Sequence, residues 1–169
     1  SFPLQAQNAE STDDNGFYSA EEIREIRLFF KDDEGGALEN WQELMDSLRL
    51  YGNGRLMGDI SIDSREYKNV GVSITDHRGF SIGEQRNPLT IRLNYIDKSQ
   101  NHDGHTVLKL STALRDPSMI REVLGYEIAR NYMPAPHANF ARLFVNDDYR
   151  GLYVNLEAID DDFLQHHFG

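Results

Sequence analysis

Short segments in which apolar and polar side chains alternate limit most strongly how this chain can fold. In Leu89–Tyr95, leucine, isoleucine, leucine and tyrosine alternate with threonine, arginine and asparagine, which is the period of a half-buried strand. The later stretch FVNDDYRGLYVNLEAID has a turn-rich centre between two alternating halves. It predicts a hairpin of Asn139–Val145 and Leu152–Glu157. The acids Asp160–Asp162 follow, and they are typical of a helix N-terminus.

Similar patterns predict the other elements of the first half of the chain. Apolar residues recur at helical spacing in Ala37–Leu48, which predicts an amphipathic helix. Residues 76–88 contain glycines and are predicted to form a loop that is longer than most connections. Three more strands are predicted at Glu25–Phe30, Arg55–Ile62 and Tyr67–Thr75. Together these elements predict an α+β fold in which an antiparallel sheet packs against a helix.

A second helix is predicted over Ser111–Asn131. Asp116 supplies a cap for it and Pro117 a first-turn proline. One face of this helix forms an apolar arc of Ile120, Val123, Leu124 and Ile128. Glu127 lies in the middle of that arc, so we expect its side chain to face the sheet.

The predicted burial of Glu127 needs a compensating partner. An unpaired buried carboxylate is strongly destabilising, so Glu127 should either lose its charge or meet a cation. Arg92 and Lys109, each near a predicted strand, are the candidates for that cation. The alternative is that the helix is rolled so that Glu127 reaches solvent at its edge.

Composition excludes several classes of function. The 169 residues carry a formal net charge of -11, whereas a nucleic-acid surface needs clustered lysine and arginine. The chain contains no cysteine, which excludes disulfides, thiolate metal sites and cysteine catalysis. No window approaches the roughly 20 continuous apolar residues of a spanning helix. We therefore expect neither nucleic-acid binding nor a membrane span.

The first 16 residues differ from the rest of the chain. The opening SFPLQAQ is small and apolar around Leu4–Gln7, and this pattern is typical of the end of a signal peptide. The alternative is an artificial or disordered terminal tail. Asn8–Gly16 is polar and predicts a linker. Residues 1–16 are therefore interpreted as a signal-peptide remnant with a linker, and residues 17–169 as the domain.

Other groups of polar residues give weaker signals. His102 and His105 lie with Asp103 in a glycine-containing loop, and no third metal ligand is indicated, so an exposed loop is expected there. His166 and His167 are adjacent and would point in different directions on a helix. No G-x-S-x-G motif occurs, which argues against a serine hydrolase. The sequence therefore predicts no metal site.

The order of elements and several spaced motifs resemble a known family. Strands, a capped helix with one inward acid, and a hairpin that leads into a connection follow the order of the small lobe of a protein kinase. The run from RDPSMIREV to DDFLQHHF resembles the CotH family of secreted, kinase-like spore-coat and surface proteins. The matching residues are Asp116, Pro117, Arg121, Glu122, Tyr126, Glu127, Pro134, Ala135, Pro136, Asn146, Gly151, Leu152, Tyr153 and Glu157. A looser likeness extends back to Phe17 and includes YKNVGV at Tyr67–Val72.

The resemblance implies an atypical kinase fold with the nucleotide held between two lobes. It implies ATP with Mg²⁺ or Mn²⁺ as cofactor, and a surface or coat protein that receives the phosphate on Ser or Thr. Glu127 would partner the cation that positions the phosphates, and Glu157 would lie beside the hinge. Residues Gly71–Gly79 would lie over the phosphates. The expected cofactor-binding residues are therefore Arg92, Glu127 and Glu157.

The chain departs from the family pattern where the phosphates would be held. Family members carry an arginine-rich stretch like GxRxRGNSS after the YxNVG patch, whereas this chain has Ser73 and Thr75 where arginines are expected. A lysine-rich lead into the next strand is replaced by Asn87–Thr90. The acids that hold metal and activate the hydroxyl are expected beyond Gly169. We therefore expect no catalytic residue in this segment, which is interpreted as an N-terminal lobe without its C-terminal lobe.

Two hypotheses of different class remain open. The first is the nucleotide-binding lobe of a secreted CotH-like atypical kinase or pseudokinase, active on protein Ser or Thr only when completed by a second lobe. The second is a surface or adhesion module in which the kinase-like scaffold binds protein or glycan and has lost nucleotide chemistry. Both predict a secreted, cell-surface or periplasmic protein. Because an isolated lobe exposes the apolar face that its partner covers, self-association through that face is also expected.

Overall fold

The structure is a computed structural model that describes residues 16–52, 54–75, 83, 86–113, 116 and 118–168, without the side chains at positions 162, 166 and 167. Almost all of the predicted segment 1–16 therefore lies outside the described residues. The strands are β1 (Ile23–Phe29), β2 (Leu56–Ile62), β3 (Arg65–Ile74), β4 (Leu89–Arg92), β5 (Val107–Ser111), β6 (Ala138–Val145) and β7 (Asp148–Glu157). The helices are α1 (Trp41–Tyr51), α2 (Ile120–Arg130) and α3 (Asp161–Phe168). None of these helices has the length and apolar composition needed to span a bilayer.

The seven strands form one closed barrel. Around its wall they follow the order β1, β2, β3, β4, β5, β7, β6. β1 pairs in parallel with β6, with Ile26 opposite Leu143, and this pairing closes the sheet. The neighbouring pairs elsewhere are antiparallel. Closure pairs the edges that an open sheet would leave exposed.

The predicted fold class is wrong. In place of an α+β lobe, whose antiparallel sheet would pack against a helix, the chain forms a closed mixed barrel with three short helices among the described residues. Two elements account for the difference. Val107–Ser111 is a strand that the sequence analysis did not predict. The parallel pair β1–β6 joins segments far apart in the chain, and the local period of a strand carries no information on its distant partner.

Alternate side chains fill the barrel interior. Val70, Val72 and Ile74 point inward from β3, and Leu108 and Leu110 do so from β5. Burial of one such side chain contributes roughly 1.5–3 kcal/mol. The interior is therefore the main source of stability. Residues that alternate with these lie on the outer wall, where they are available for binding.

The predicted hairpin is confirmed and is longer than expected. β7 begins at Asp148 rather than Leu152. The two-residue turn between β6 and β7 consists of Asn146 (φ 48°) and Asp147 (φ 68°). Two-residue hairpin loops of type I′ require positive φ at both positions, which favours Asn and Asp there. The Asn146 side chain also accepts the N–H of Phe30 at 2.8 Å, which ties the turn to the end of β1.

Helix α2 is shorter than predicted and rotated differently. It begins at Ile120, and Ser111, where the predicted helix began, is the last residue of β5. The Asp116 carboxylate accepts the N–H of Arg121 at 2.8 Å, but the residue at the N-cap position is Met119 rather than the predicted Asp116. Val123 is the buried residue of the helix and packs against Val154 on the outer wall. The predicted apolar arc is therefore only partly directed at the barrel.

Helix α1 lies at one opening of the barrel, which we call the mouth. It was predicted at Ala37–Leu48 and forms at Trp41–Tyr51. The Trp41 ring stacks on Phe30 with centroids 5.6 Å apart, and Met45 is buried in the core. The Arg150 guanidinium lies 4.9 Å from the centre of the Trp41 ring. The mouth is thus closed by packing between α1 and the strand ends.

Residues 17–19 fill the opposite opening, which we call the plugged end. Phe17, Tyr18 and Ser19 are all buried. Asn139, which is fully buried, donates from its side-chain amide to the carbonyls of Phe17 at 2.9 Å and Ser19 at 3.0 Å. Its own side-chain oxygen accepts the amide of Asn155 at 2.9 Å. Amide hydrogen bonds therefore hold this segment inside the barrel end.

Candidate functional site

An open cleft of about 390 Å³ runs along the outer wall of the barrel. Strands β3, β4 and β5 form its floor. Gly54 and Arg55, just before β2, line one side, and Ala158, Ile159 and Asp160, just after β7, line the other. We call it the cationic cleft, because three cations line it, which are Arg55, Arg92 and Lys109. The hydroxyl residues Ser73, Thr75 and Thr90 lie among them.

Strand register brings the floor residues of the cationic cleft together. Ser73 lies opposite Thr90, and Thr90 lies opposite Lys109. Side chains directly opposite each other on paired strands share one face, with Cβ atoms about 4.5–5.5 Å apart. The Thr75 and Thr90 hydroxyls form a hydrogen bond of 2.7 Å. Two hydroxyls and one ammonium group thus form a continuous row across three strands.

Arg55 extends this row from the neighbouring segment. Its guanidinium donates to the Ser73 hydroxyl at 2.8 Å. Gly71 permits this position, because a Cβ there would lie 2.6 Å from the Tyr95 ring and 2.9 Å from the Arg55 side chain. Gly71 is also paired with Arg92 on β4. A residue without a side chain therefore allows Arg55 and the Tyr95 ring to lie close against the wall beside Arg92.

Positive charge dominates the cationic cleft. Burial lowers the pKa of the Arg55 guanidinium, and the nearby positive charge of Arg92 lowers it further. Within the residues that the structure describes, no carboxylate forms an ion pair with Arg55, Arg92 or Lys109. Asp160 lines the cleft, but its carboxylate accepts the N–H of Phe163 at 3.1 Å at the start of α3. Such an arrangement is suited to bind an anion.

Of the predicted cofactor-binding residues, Arg92 lies on the cationic cleft. Glu157 lies in the strand that leads to the cleft, but its side chain is buried: it accepts the N–H of His137 at 2.9 Å and lies 3.9 Å from the His105 ring. Glu127 is exposed on α2, and among the described residues no cation pairs with it. The structure therefore does not bring these three side chains together, and the cofactor roles of all three stay predictions.

The predicted inward orientation of Glu127 is wrong. Val123 faces the barrel, while Ile120, Leu124 and Ile128 are exposed beside Glu127. Contact with the outer residues of β6 and β7, including Val154, fixes this rotation of α2. An exposed carboxylate needs no buried cation, so the desolvation argument for pairing with Arg92 or Lys109 no longer applies.

Arg55 was not predicted to belong to the cationic cleft. It was predicted to begin a strand and was given no role, and Lys109 was predicted only as a partner for Glu127. The available signal was that Ser73 and Thr75 replace arginines in the expected phosphate-binding stretch. Gly71 lies in β3 beneath the Arg55 side chain, but residues 76–79 of that stretch lie outside the described residues.

His102 is buried in the plugged end, so the expectation of an exposed loop is wrong for it. Only 1% of its surface is accessible, and its ring contacts Phe17 with centroids 4.4 Å apart. Arg65 lies 3.3 Å from Nε2, and the Tyr67 hydroxyl lies 2.8 Å from Nδ1. Because arginine can only donate, Nε2 accepts and Nδ1–H donates to Tyr67.

The pKa of His102 is lowered to about 4, first by burial and then by the positive charge of Arg65. The neutral ring is therefore the form that fits the folded protein. Nearby, burial raises the pKa of the Tyr18 hydroxyl far above its usual value, and Glu157 and Asp160 add to the effect. Over the described part of the chain, no three His, Asp or Glu side chains are grouped as they would be to hold a metal ion.

Comparison with known protein families gives one finding. The family described as CotH kinase protein matches residues 76–169, which is more than half of the chain. The match covers β4 to α3, and thus Arg92, Lys109 and the segment 158–160 of the cationic cleft. A search of curated proteins gave no significant match.

Proposed function

The chain belongs to the CotH kinase protein family, and from this premise we propose that it is a kinase-related domain that binds ATP in the cationic cleft. The proposal assigns the phosphates to Arg55, Arg92 and Lys109. It assigns the base and sugar to apolar residues of the lining, which are Val107 on the floor and Ala158 and Ile159 at the side after β7.

One observation carries this proposal. Two guanidinium groups and an ammonium group share one open cleft, and no described carboxylate pairs with them. Like charges held close together repel one another, so a protein that concentrates them without counter-charges loses stability. A bound polyanion removes that cost and gains charge-assisted hydrogen bonds. Arg55 and Arg92 are suited to this task, because a guanidinium matches phosphate with two parallel hydrogen bonds.

Arg55 also lies where the chain lacks the arginines that the family pattern leads one to expect. Where CotH-like sequences are expected to carry arginines, this chain has Ser73 and Thr75. The Arg55 guanidinium donates to the Ser73 hydroxyl at 2.8 Å. A positive charge from the segment before β2 therefore lies beside Ser73, where an arginine was expected. We propose that Arg55 supplies the phosphate contact that the replaced arginines provide in the family.

The residues of the cationic cleft fit a phosphate chain better than they fit a divalent ion. Mg²⁺ and Mn²⁺ bind carboxylates, and in kinases the ion neutralises charge on the phosphates. Among the described residues that line the cleft, Asp160 is the carboxylate, and it already caps α3. The described residues of the cationic cleft therefore offer few ligands for Mg²⁺ or Mn²⁺.

The location and partner of the protein are proposed from the family likeness. We propose that it acts outside the cytoplasm, as a secreted, cell-surface or periplasmic protein, and that its protein partner is a surface or coat protein. The residues Leu4–Gln7, which suggest secretion, lie outside the described residues. Detection of the protein in the culture medium or on the cell surface of its source would support this location, and purely cytosolic protein would contradict it.

Isothermal titration calorimetry with ATP tests the proposed nucleotide site. We expect the purified chain to bind ATP and the Arg92→Ala variant to bind it roughly 10- to 100-fold more weakly, because a hydrogen bond to a charged group contributes about 1.5–3 kcal/mol. Arg142→Ala is the matched control, since Arg142 is exposed on β6 and does not line the cleft. Equal loss in both variants, or no binding by the unaltered chain at millimolar ATP, would contradict the proposal.

A second candidate function rests on a separate surface. Ile120, Leu124 and Ile128 lie at i, i+4 and i+8 on α2 and are 46%, 48% and 58% exposed. Residues at this spacing share one helix face, and an exposed apolar face is typical of protein–protein contact. We propose that this face, which we call the α2 apolar face, serves self-association or a surface-protein partner, as in the adhesion-module hypothesis.

A further inference from the structure

We infer that the cationic cleft takes its polyphosphate free of divalent metal, with Arg55 and Lys109 in the place of the ion. This inference rests on the proposed function, because it concerns the chemical form of the ligand at that same site. It goes beyond that function, since the family likeness implies ATP with Mg²⁺ or Mn²⁺.

The arrangement of Arg55 gives the first support. Its guanidinium is held by the Ser73 hydroxyl at 2.8 Å, and its stem lies against Gly71. Since the donor is fixed by the wall rather than carried by a mobile loop, little side-chain entropy is lost when a phosphate binds. The Arg55 guanidinium is therefore positioned before a phosphate binds, as the ion is in a metal-dependent site.

The balance of charge gives the second support. Arg55, Arg92 and Lys109 contribute three cations to the lining, and Asp160 is the carboxylate among its described residues. Asp160 accepts the N–H of Phe163, so one oxygen of its carboxylate is engaged at the start of α3. A divalent cation would enter a region that is already positive, and it would cancel phosphate charge that the three side chains otherwise attract.

The hydroxyl row gives the third support. Thr75 and Thr90 share a hydrogen bond of 2.7 Å, and Thr90 lies opposite Lys109. Hydroxyls donate to phosphate oxygens without adding charge. Together with the cations they offer donors to several oxygens of one phosphate chain, whereas at metal-dependent sites the ion contacts those oxygens by coordination.

Calorimetric titration of the full chain in EDTA and in excess Mg²⁺, at matched ionic strength, tests the inference. With ATP in EDTA we expect a Kd no higher than in excess Mg²⁺, because the divalent ion cancels phosphate charge that Arg55, Arg92 and Lys109 otherwise attract. Inorganic tripolyphosphate in EDTA should also bind, because the site recognises the phosphate chain. Arg55→Ala and Lys109→Ala should each weaken binding in EDTA by roughly tenfold or more, whereas Arg142→Ala should leave it unchanged.

The outcomes separate this inference from the proposed function. Weaker binding of ATP in EDTA than in excess Mg²⁺ overturns the metal-free inference and leaves ATP binding intact. Absence of ATP binding in both buffers overturns both. If Arg55→Ala fails to fold by circular dichroism, Arg55→Lys serves in its place: it keeps the charge and loses the paired donors, so weaker binding in EDTA supports the inference and unchanged binding contradicts the role of Arg55.

Discussion

The cationic cleft and the plugged end use the same residue types in opposite ways. At the plugged end, Arg24 donates to the carbonyls of Phe17 at 2.7 Å and Gly16 at 2.6 Å, and Arg65 pairs with Asp103 at 2.9 Å. In the cationic cleft, Arg55 donates to a neutral hydroxyl, and no described carboxylate pairs with it. Cations with partners of their own serve the fold, whereas cations left without counter-charges are available to a ligand.

This contrast predicts different costs for substitutions in the two regions. A buried polar group that loses its partner is destabilising by about 1–3 kcal/mol. An exposed charge that has no partner in the protein contributes little to stability, and substitutions of such residues usually fall within about 0.5 kcal/mol. Stability should therefore respond to the plugged end, and ligand binding to the cationic cleft.

The largest effect is expected for Asn139→Ala. This change removes the amide that holds Phe17 and Ser19 and leaves the Asn155 amide without its acceptor. We expect a loss of about 3–5 kcal/mol in the free energy of unfolding, because several buried groups become unpaired at once. Urea denaturation measures it. A loss below about 1 kcal/mol would show that residues 17–19 do not contribute to the fold as described.

The second effect is a loss of stability in acid that depends on His102. Its pKa is about 4 in the folded protein and about 6.5 when unfolded. Since the folded pKa is the lower one, the contribution is fully present above pH 6.5 and is lost as pH falls towards 4. Each pKa unit corresponds to 1.36 kcal/mol, so the loss from this group is at most about 3 kcal/mol.

The variant His102→Gln isolates that contribution. Glutamine can still hydrogen-bond to Tyr67 or Arg65 but does not titrate. We expect the variant to be less stable than the unaltered chain at pH 7 and to lose less stability between pH 7 and pH 4.5. Parallel urea titrations at both pH values measure the difference. Equal losses in the two proteins would contradict the neutral, buried state of His102.

A third prediction concerns Gly71, which affects both the packing of the barrel wall and the position of Arg55. Gly71→Ala places a Cβ 2.6 Å from the Tyr95 ring and 2.9 Å from the Arg55 side chain. We expect the ring and the arginine to shift, with a stability loss of about 1–3 kcal/mol from overpacking and weaker ATP binding. Gly125→Ala is the matched control, because a Cβ at that position on α2 meets nothing within 4 Å. Normal ATP binding by Gly71→Ala would show that Arg55 is not positioned through Gly71.

The smallest effect on stability is expected on the α2 apolar face. Leu124→Lys should change the free energy of unfolding by less than about 0.5 kcal/mol, because Leu124 is already exposed. It should nevertheless abolish concentration-dependent self-association in sedimentation velocity. Leu50→Lys on α1 is the matched control, since Leu50 is 51% exposed. A chain that is monomeric at all concentrations would remove the support for self-association.

The sequence predicted local structure better than it predicted long-range pairing. The hairpin of β6 and β7 was predicted, because Asn146 and Asp147 mark a two-residue turn between alternating segments. The barrel was not, because closure depends on β1 and β6, whose pairing leaves no trace in the local period. The rotation of α2 was also missed, since an apolar arc shows which face is hydrophobic but not what covers it.

The candidate site was only partly predicted, because its assembly also depends on pairing between distant segments. Arg92 lies on an alternating strand and its exposure followed from that period. Arg55 and Lys109 reach the same cleft only through the register of β2 to β5, which the sequence does not specify. Glu127 was assigned to the site by its place in an apolar arc, and the structure shows that most of the arc is exposed.

A crystal structure of the chain soaked with ATP tests the central claim most directly. We predict phosphate density in the cationic cleft, with oxygens within hydrogen-bond distance of Arg55, Arg92 and Lys109. Nucleotide bound elsewhere on the barrel, with the guanidinium groups of Arg55 and Arg92 left in solvent, would contradict the assignment of the cleft as the phosphate site.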